Sequence, residues 1–414
     1  MILANLLSLS GFLFLRFSVN VAMLYISRII AGFSFGLCFA NIPPYTGEIS
    51  QPRIRKFTGS FMPTFYNIGF VITFGLSTFL KWRTILSIVL CSPCVNIILL
   101  FFCPESPTWF MNQGKKESAI AYMKALRGDS EIALKEIKRI ENNLEKQREK
   151  TLTTNSSSFV MKKWEILSKG TFIRPFIVIT TLIAICWHWT GGPMIGFYII
   201  DMLQGFKIPM NPYWCAVLIA CFQLVFGLIA TMISSLIPRR KLFICCGVLE
   251  SIGTFALGTT VYLNRQQYFI ELLEEYPAIS WIPLLALLCF YAGYFGGYVP
   301  VCFIILAELL PSNARSIGSS MATTCSISSL FVLIKFAPAL QDALGLDGSF
   351  WLFSGVTFCS VIFCYFCVPE TFGKTLESIE DHYRNVCYGN KITPKIETEI
   401  CQKRKIGVCE VTKL

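Results

Sequence analysis

Histidine is nearly missing from this 414-residue chain, which has two, and charge is thin at 15% of residues. Cys91-x-x-Cys94 and Cys364-x-x-Cys367 have the spacing of a redox or metal motif. Both lie in apolar runs without histidine, where a thiol acts as a small apolar group, so no metal is expected. Also missing are a Walker phosphate loop, a nucleophile elbow and paired catalytic carboxylates in a soluble domain. An enzyme is therefore not expected, and neither is a nucleotide or redox cofactor. The chain start has no basic stretch and no small-residue cleavage site, so it does not read as a secretory leader.

What the chain has in abundance is apolar length: 54% of its residues are hydrophobic. Crossing a bilayer takes roughly 20 apolar residues in a helix. Ten such runs are expected, over residues 1–15, 19–44, 57–80, 84–103, 176–200, 211–237, 242–263, 279–306, 317–340 and 350–368. They are continuous and do not alternate apolar with polar, so they read as helices and not as barrel strands. The expected fold class is an all-α polytopic membrane protein, with the lipid bilayer as its surroundings.

The net charge of +11 suggests nucleic acid only until its placement is considered. One alternating set of loops carries Arg53, Arg55, Lys56, fourteen Lys or Arg between Cys103 and Phe176, Arg239, Arg240, Lys241 and Arg315, and the tail after Val368 adds eight. The opposite set has only Arg16, Lys81, Arg83, Lys207 and Arg265. That asymmetry is the positive-inside pattern. It places both termini and the loop after Cys103 in the cytoplasm, and it accounts for the charge without a nucleic-acid partner. The sequon Asn155-Ser156-Ser157 then lies on the side where glycosylation does not occur.

The chain also repeats itself. Glu48 closes one span and Arg55 follows seven residues later; Glu308 closes another, with Arg315 at the same distance. Each half ends alike, in Pro104-Glu105-Ser106-Pro107 and in Pro369-Glu370-Thr371, 57 residues beyond Glu48 and 62 beyond Glu308. Two halves with a common ending point to a parallel repeat, which is a transporter architecture. Six spans precede the second ending from Phe176, but four precede the first. The organisation expected is therefore an incomplete N-terminal half of four helices (1–103), a cytoplasmic helical linker (104–175), a C-terminal half of six (176–368) and a cytoplasmic tail (369–414). On this reading the chain is a twelve-helix transporter without its first two helices. Within the linker, Ala119, Met123, Leu126, Ile132, Leu134, Ile137 and Ile140 recur at helical spacing, while 151–158 is expected to be disordered.

Together, Arg28-x-x-x-Gly32-x-x-x-Gly36, Pro104-Glu-Ser-Pro107, the Arg239-Arg240 turn, Glu308 with Arg315, and Pro369-Glu-Thr-Phe-Gly-Lys-Thr-Leu376 resemble the sugar porter family of the major facilitator superfamily. The resemblance covers almost the whole chain. Met62-Pro63-Thr-Phe-Tyr-Asn-Ile-Gly69 more particularly resembles the insect facilitated trehalose transporters. It implies the major facilitator fold and facilitative transport of a sugar, trehalose or a hexose, by alternating access in the plasma membrane. The alternatives are a transport-inactive truncated transporter or sensor, or a carrier of another small organic solute, which Glu250 and Lys335 within spans leave open.

The resemblance also assigns roles. Arg28, Glu48, Arg55, Glu105, Arg239, Arg240, Glu308, Arg315 and Glu370 fall where the family latches its two halves at the cytoplasmic face. Charges near a bilayer interior cost several kcal/mol unless paired, which is the physical reason to expect pairing. Ser235, Pro238 and Lys56 depart from the family pattern, so a weaker latch is expected. The stretch Trp187-His188-Trp189-Thr190-Gly191-Gly192-Pro193 aligns with a segment that breaks a helix around the sugar. Gly-Gly-Pro can supply such a break. Trp187, His188, Thr190 and Pro193 are thus candidate sugar contacts, joined by Gln223, Phe303 and Ser326. Pro63 and Phe295 stand where hydrogen-bonding residues are usual, so a ligand other than glucose is allowed.

Overall fold

The computed structural model describes residues 1–50, 61–127, most of 131–142, 170–206, 208–233, 236–266, 275–310 and 315–372, with a few isolated positions beyond. Among these residues the structure is helical, with no strand. Six helices are long and apolar enough to cross a membrane. Three more apolar helices, Ile2–Arg16, Thr64–Ser77 and Phe172–Cys186, are shorter. The helix Ile317–Cys367 holds two expected spans, divided where Gly345 takes φ 76°, ψ 168°. Only glycine adopts that conformation without steric penalty.

The chain divides into two compact units. The first comprises Met1–Phe159 with Tyr213–Thr231, and the second Val160–Pro212 with Met232–Leu414. In the first, α1 (Ile2–Arg16) packs on α2 (Val21–Ile49), followed by α3 (Phe61–Ser77), α4 (Trp82–Val89), α5 (Cys91–Phe102), α6 (Pro107–Asn112) and α7 (Lys116–Arg127), with α10 (Pro212–Ile233) added later in the chain. A Cβ on Gly11 would sit 3.2 Å from the Ala31 backbone nitrogen, and Ser34 donates to the Ala4 carbonyl at 2.7 Å. Small residues thus let two apolar helices approach where hydrophobicity gives no preference for protein over lipid.

At the end of α5 the chain turns polar. Ser106 caps α6 through its hydroxyl, which accepts from the Trp109 amide at 3.1 Å, with Pro107 in the first turn. Met111, Ala119, Met123, Ala133 and Ile137 form a buried cluster flanked by Phe110, Ile120 and Ile140. The helical spacing therefore produces a small core, although Leu134 points outward at 42% exposure and Ala133 fills its expected place. Arg127 joins this core to the membrane part. Its side chain is 4% exposed, and its guanidinium bonds Glu136 at 2.9 Å and donates to the Ile49 carbonyl at the end of α2 at 2.9 Å. A cation there satisfies an orphan carbonyl and complements the helix dipole. Residues 151–158 lie outside the described residues.

The second unit contains α8 (Gly170–Thr180), a π-helical segment Thr181–Cys186, α9 (Gly192–Gly205), α11 (Arg239–Leu263), α12 (Ile282–Gly293), a second π segment Tyr294–Tyr298, α13 (Val299–Leu309) and α14 (Arg315–Cys367). Helix α11 is its spine. Ser251 and Ser354 exchange hydrogen bonds between α11 and α14 at 2.9 to 3.1 Å. A Cβ on Gly253 would lie 2.6 Å from the Phe290 nitrogen, so glycine brings α11 and α12 into backbone contact.

Candidate functional site

The expected break falls in the second unit, between the π segment and α9. Residues 187–191 leave the helix, Gly191 takes φ 93°, and α9 starts at Gly192 with Pro193 in its first turn. Proline is harmless there, because first-turn amides have no helical acceptor anyway. Both glycines are required by space. A Cβ on Gly191 would lie 2.7 Å from the Phe353 ring, and one on Gly192 would overlap the Tyr294 ring.

A break among apolar helices needs partners for its freed carbonyls, because lipid offers none. Four hydroxyls supply them. Ser326 donates to Ile183 at 3.2 Å, Ser329 to Ala184 at 2.5 Å, Tyr298 to Cys186 at 2.8 Å and Thr190 to Trp187 at 3.1 Å. The side chains on the break are held as well. The Trp187 indole donates to the Tyr294 hydroxyl at 2.8 Å, and the Trp189 indole to Ser329 at 3.0 Å. His188 Nε2 lies 2.9 Å from Ser326 Oγ. Trp187 stacks on His188 at 4.4 Å and meets Phe303 edge-on at 4.9 Å between ring centroids.

The structure thus brings together Trp187, His188, Thr190, Pro193, Phe303 and Ser326. His188 is 2% exposed and its Nδ1 has no hydrogen-bond partner among the described residues. Gln223 is buried on α10, in the other unit. The residues that sequence reasoning missed are Tyr294, Tyr298 and Ser329. Gly296-Gly297 before Pro300 was the available signal for an irregular second helix, since those residue types weaken a helix.

At the start of α11 the expected charged residues cluster. Arg239 pairs with Glu308 at 3.2 Å, both largely buried. Glu370 accepts from the Arg239 amide at 3.1 Å, the Arg240 amide at 3.2 Å and the Phe372 amide at 2.9 Å. A carboxylate placed this way caps the helix and meets its positive end. The Arg239 guanidinium lies over Phe372, and that of Arg240 over Tyr365, whose carbonyl it also bonds. Arg28, Glu48 and Glu105 are exposed in the first unit. Near Glu105, Tyr45 donates to the Pro104 carbonyl at 2.8 Å. Arg315 starts α14, and Arg55 lies outside the described residues.

Residues 1–383 match the family described as sugar (and other) transporter. The chain belongs to that family. It is 28% identical over 376 residues to a facilitated trehalose transporter Tret1 of Apis mellifera ligustica, with 91% of this chain and 72% of that protein covered. It is 29% identical over 366 residues to the protein of that name in Drosophila pseudoobscura pseudoobscura, covering 88% of this chain. The chain spans about 40% of that relative's length. Among solved structures it is similar to the inward-open xylose transporter XylE from E. coli, with a TM-score of 0.71 at 22% identity, covering 92% of this chain and 81% of that one. At that identity the likeness shows the fold, that of the major facilitator superfamily. The chain is an integral membrane protein and not an enzyme.

Proposed function

We propose that this chain is a facilitative transporter of a sugar, trehalose or a hexose, working by alternating access in the plasma membrane with both termini cytoplasmic. The observation that carries the reading is the broken helix at Gly191, flanked by two indoles, an imidazole and a set of hydroxyls inside an apolar bundle. Indole faces stack on sugar C–H surfaces, and imidazole and hydroxyl groups donate to and accept from sugar hydroxyls. Relatives that bear the name facilitated trehalose transporter support the substrate class. In this reading Trp187, His188, Thr190, Pro193, Gln223, Phe303 and Ser326 are the solute contacts. The helix α9 beyond the break is the moving gate. The pairs around Arg239, Arg240, Glu308 and Glu370, with Arg315 and their counterparts Arg28, Glu48, Arg55 and Glu105, hold the cytoplasmic face closed.

The test is counterflow of labelled trehalose and glucose into proteoliposomes carrying the full chain. Uptake that depends on unlabelled sugar inside supports the reading. Correctly inserted protein that exchanges neither sugar refutes it and favours a non-transporting role.

A further inference from the structure

Glu250 lies in the middle of α11, wholly buried, and neither carboxyl oxygen has a hydrogen-bond partner among the described residues. It has no salt bridge among them either. An acidic group on a membrane helix is expensive to maintain and points to use. Ionised or not, this group has unmet hydrogen bonds, and leaving a buried polar group unmet costs about 1–3 kcal/mol, more for a charge. Packing alone does not explain it, because a hydrophobic side chain would fill the space without that penalty.

Its surroundings say what it waits for. Gly293 brings the backbone of α12 against the backbone of α11 at this level: a Cβ there would lie 2.7 Å from the Glu250 nitrogen. The polar group that interacts with its carboxyl is the Thr190 hydroxyl, on the break itself, in a contact that falls short of a well-formed hydrogen bond. Thr190 directs its proton to the Trp187 carbonyl, 3.1 Å away. A second unmet atom, His188 Nδ1, lies two residues from Thr190 along the same break. Ser326 has one hydroxyl proton, and the Ile183 carbonyl is there to take it. The His188–Ser326 bond is then donated by Nε2–H, which leaves Nδ1 as an acceptor. The unmet atoms around the break are therefore acceptors, and they suit a neutral solute rich in hydroxyl donors.

We infer that Glu250 is a solute-contact residue at the rear of the break, accepting hydrogen bonds from solute hydroxyls when the turn over residues 187–192 is displaced. The inference rests on the sugar-transport reading and names a specificity determinant that reading does not contain. A carboxyl group accepts from a hydroxyl whether or not it carries its own proton, so its loss is felt hydroxyl by hydroxyl.

The experiment is counterflow in proteoliposomes with the parent sugar and its series of monodeoxy analogues, on wild type, Glu250→Gln and Glu250→Asp. In wild type, at least one deoxy analogue should show KM raised roughly 5- to 100-fold, the range for leaving a buried polar group without its hydrogen-bond partner. In Glu250→Gln the parent sugar should approach that weakened KM, and the penalty for that same deoxy analogue should largely vanish. Glu250→Asp, which keeps the carboxylate, should retain part of the discrimination. A merely structural acid would change every sugar alike and leave the discrimination intact, which overturns the inference. So does a wild type indifferent to every deoxy position. If Glu250→Gln does not insert, Glu250→Asp with unaltered KM for all analogues overturns it equally. A wild type that moves no sugar refutes the transport reading itself, and this assignment with it.

Discussion

Glu370 holds three backbone amides with one carboxylate, and that concentration makes its removal measurable. The Arg239, Arg240 and Phe372 amides lie 2.9 to 3.2 Å from its oxygens. Two of them are first-turn groups of α11 with no helical acceptor. Losing a side-chain cap costs about 0.5–2 kcal/mol. Removing a negative charge from a helix N-terminus adds roughly 0.3–1 kcal/mol. Glu370→Ala should therefore weaken the start of α11 by about 1–3 kcal/mol, while the Arg239–Glu308 pair and the contact of Arg239 with the Phe372 ring persist in part. Glu370→Gln keeps an acceptor and loses the charge, so it should fall about midway. Hydrogen exchange of the reconstituted protein reads this directly, since local opening controls the rate. Amides at the start of α11 should exchange about 5- to 150-fold faster in Glu370→Ala. Identical rates in the three proteins would refute the cap. A uniform acceleration along all of α11 would also refute it, because that signals global loosening.

Three further outcomes are expected. His188→Ala should reduce sugar counterflow at least tenfold, roughly one lost hydrogen bond in a buried site, with membrane insertion unchanged; normal transport, or failure to insert, counts against its assignment. Charge reversal at Glu308 or Arg315 should open the cytoplasmic face, raising the reactivity of introduced cysteines near Gly191 toward impermeant reagents added from that side, and unaltered labelling sinks the latch. Arg127→Ala removes both the cation on the Ile49 carbonyl and the pair with Glu136. About 2–4 kcal/mol of local stability should go with them, seen as early thermal exposure of Met123 in the buried cluster; a melting profile identical to wild type refutes that role.

The apolar helices were legible because bilayer crossing leaves an uninterrupted signal, and so was the break, because Gly191-Gly192-Pro193 has few other uses within a span. The pairing of Arg239 with Glu308 was legible as charge that needed a partner, though the three-amide cap by Glu370 was not. Its donors are backbone groups, which carry no sequence signature. The π segment Thr181–Cys186 was not visible either: the wider turn leaves no distinct period in an apolar run. Long-range partners were hidden for a different reason. Ser326 and His188 are 138 residues apart, and each was singled out as a contact for the solute. That they bond to each other follows only from how α14 packs on the broken helix. Likewise Tyr298 reads as one more aromatic residue until its hydroxyl is found on the Cys186 carbonyl.

On the transport reading proposed above, the chemistry around the break suits a hydroxylated solute. Four carbonyls freed by the π segment and the turn are met by Ser326, Ser329, Tyr298 and Thr190, all hydroxyl donors. A sugar presents the same donor group. Displacing one protein hydroxyl by a solute hydroxyl exchanges one hydrogen bond for another of like strength, so the backbone need never be left bare in the apolar interior. On that reading Glu250 and His188 Nδ1 would tilt the exchange toward the solute-bound state, because binding there gives partners to groups that have none among the described residues. In the proposed mechanism the two terms act in opposite senses on the gate: saturated carbonyls hold the break closed, and unmet acceptors favour opening it around a solute. Such a balance would make the gate respond to the solute's hydroxyls, and an apolar molecule of the same size would have no means of shifting it.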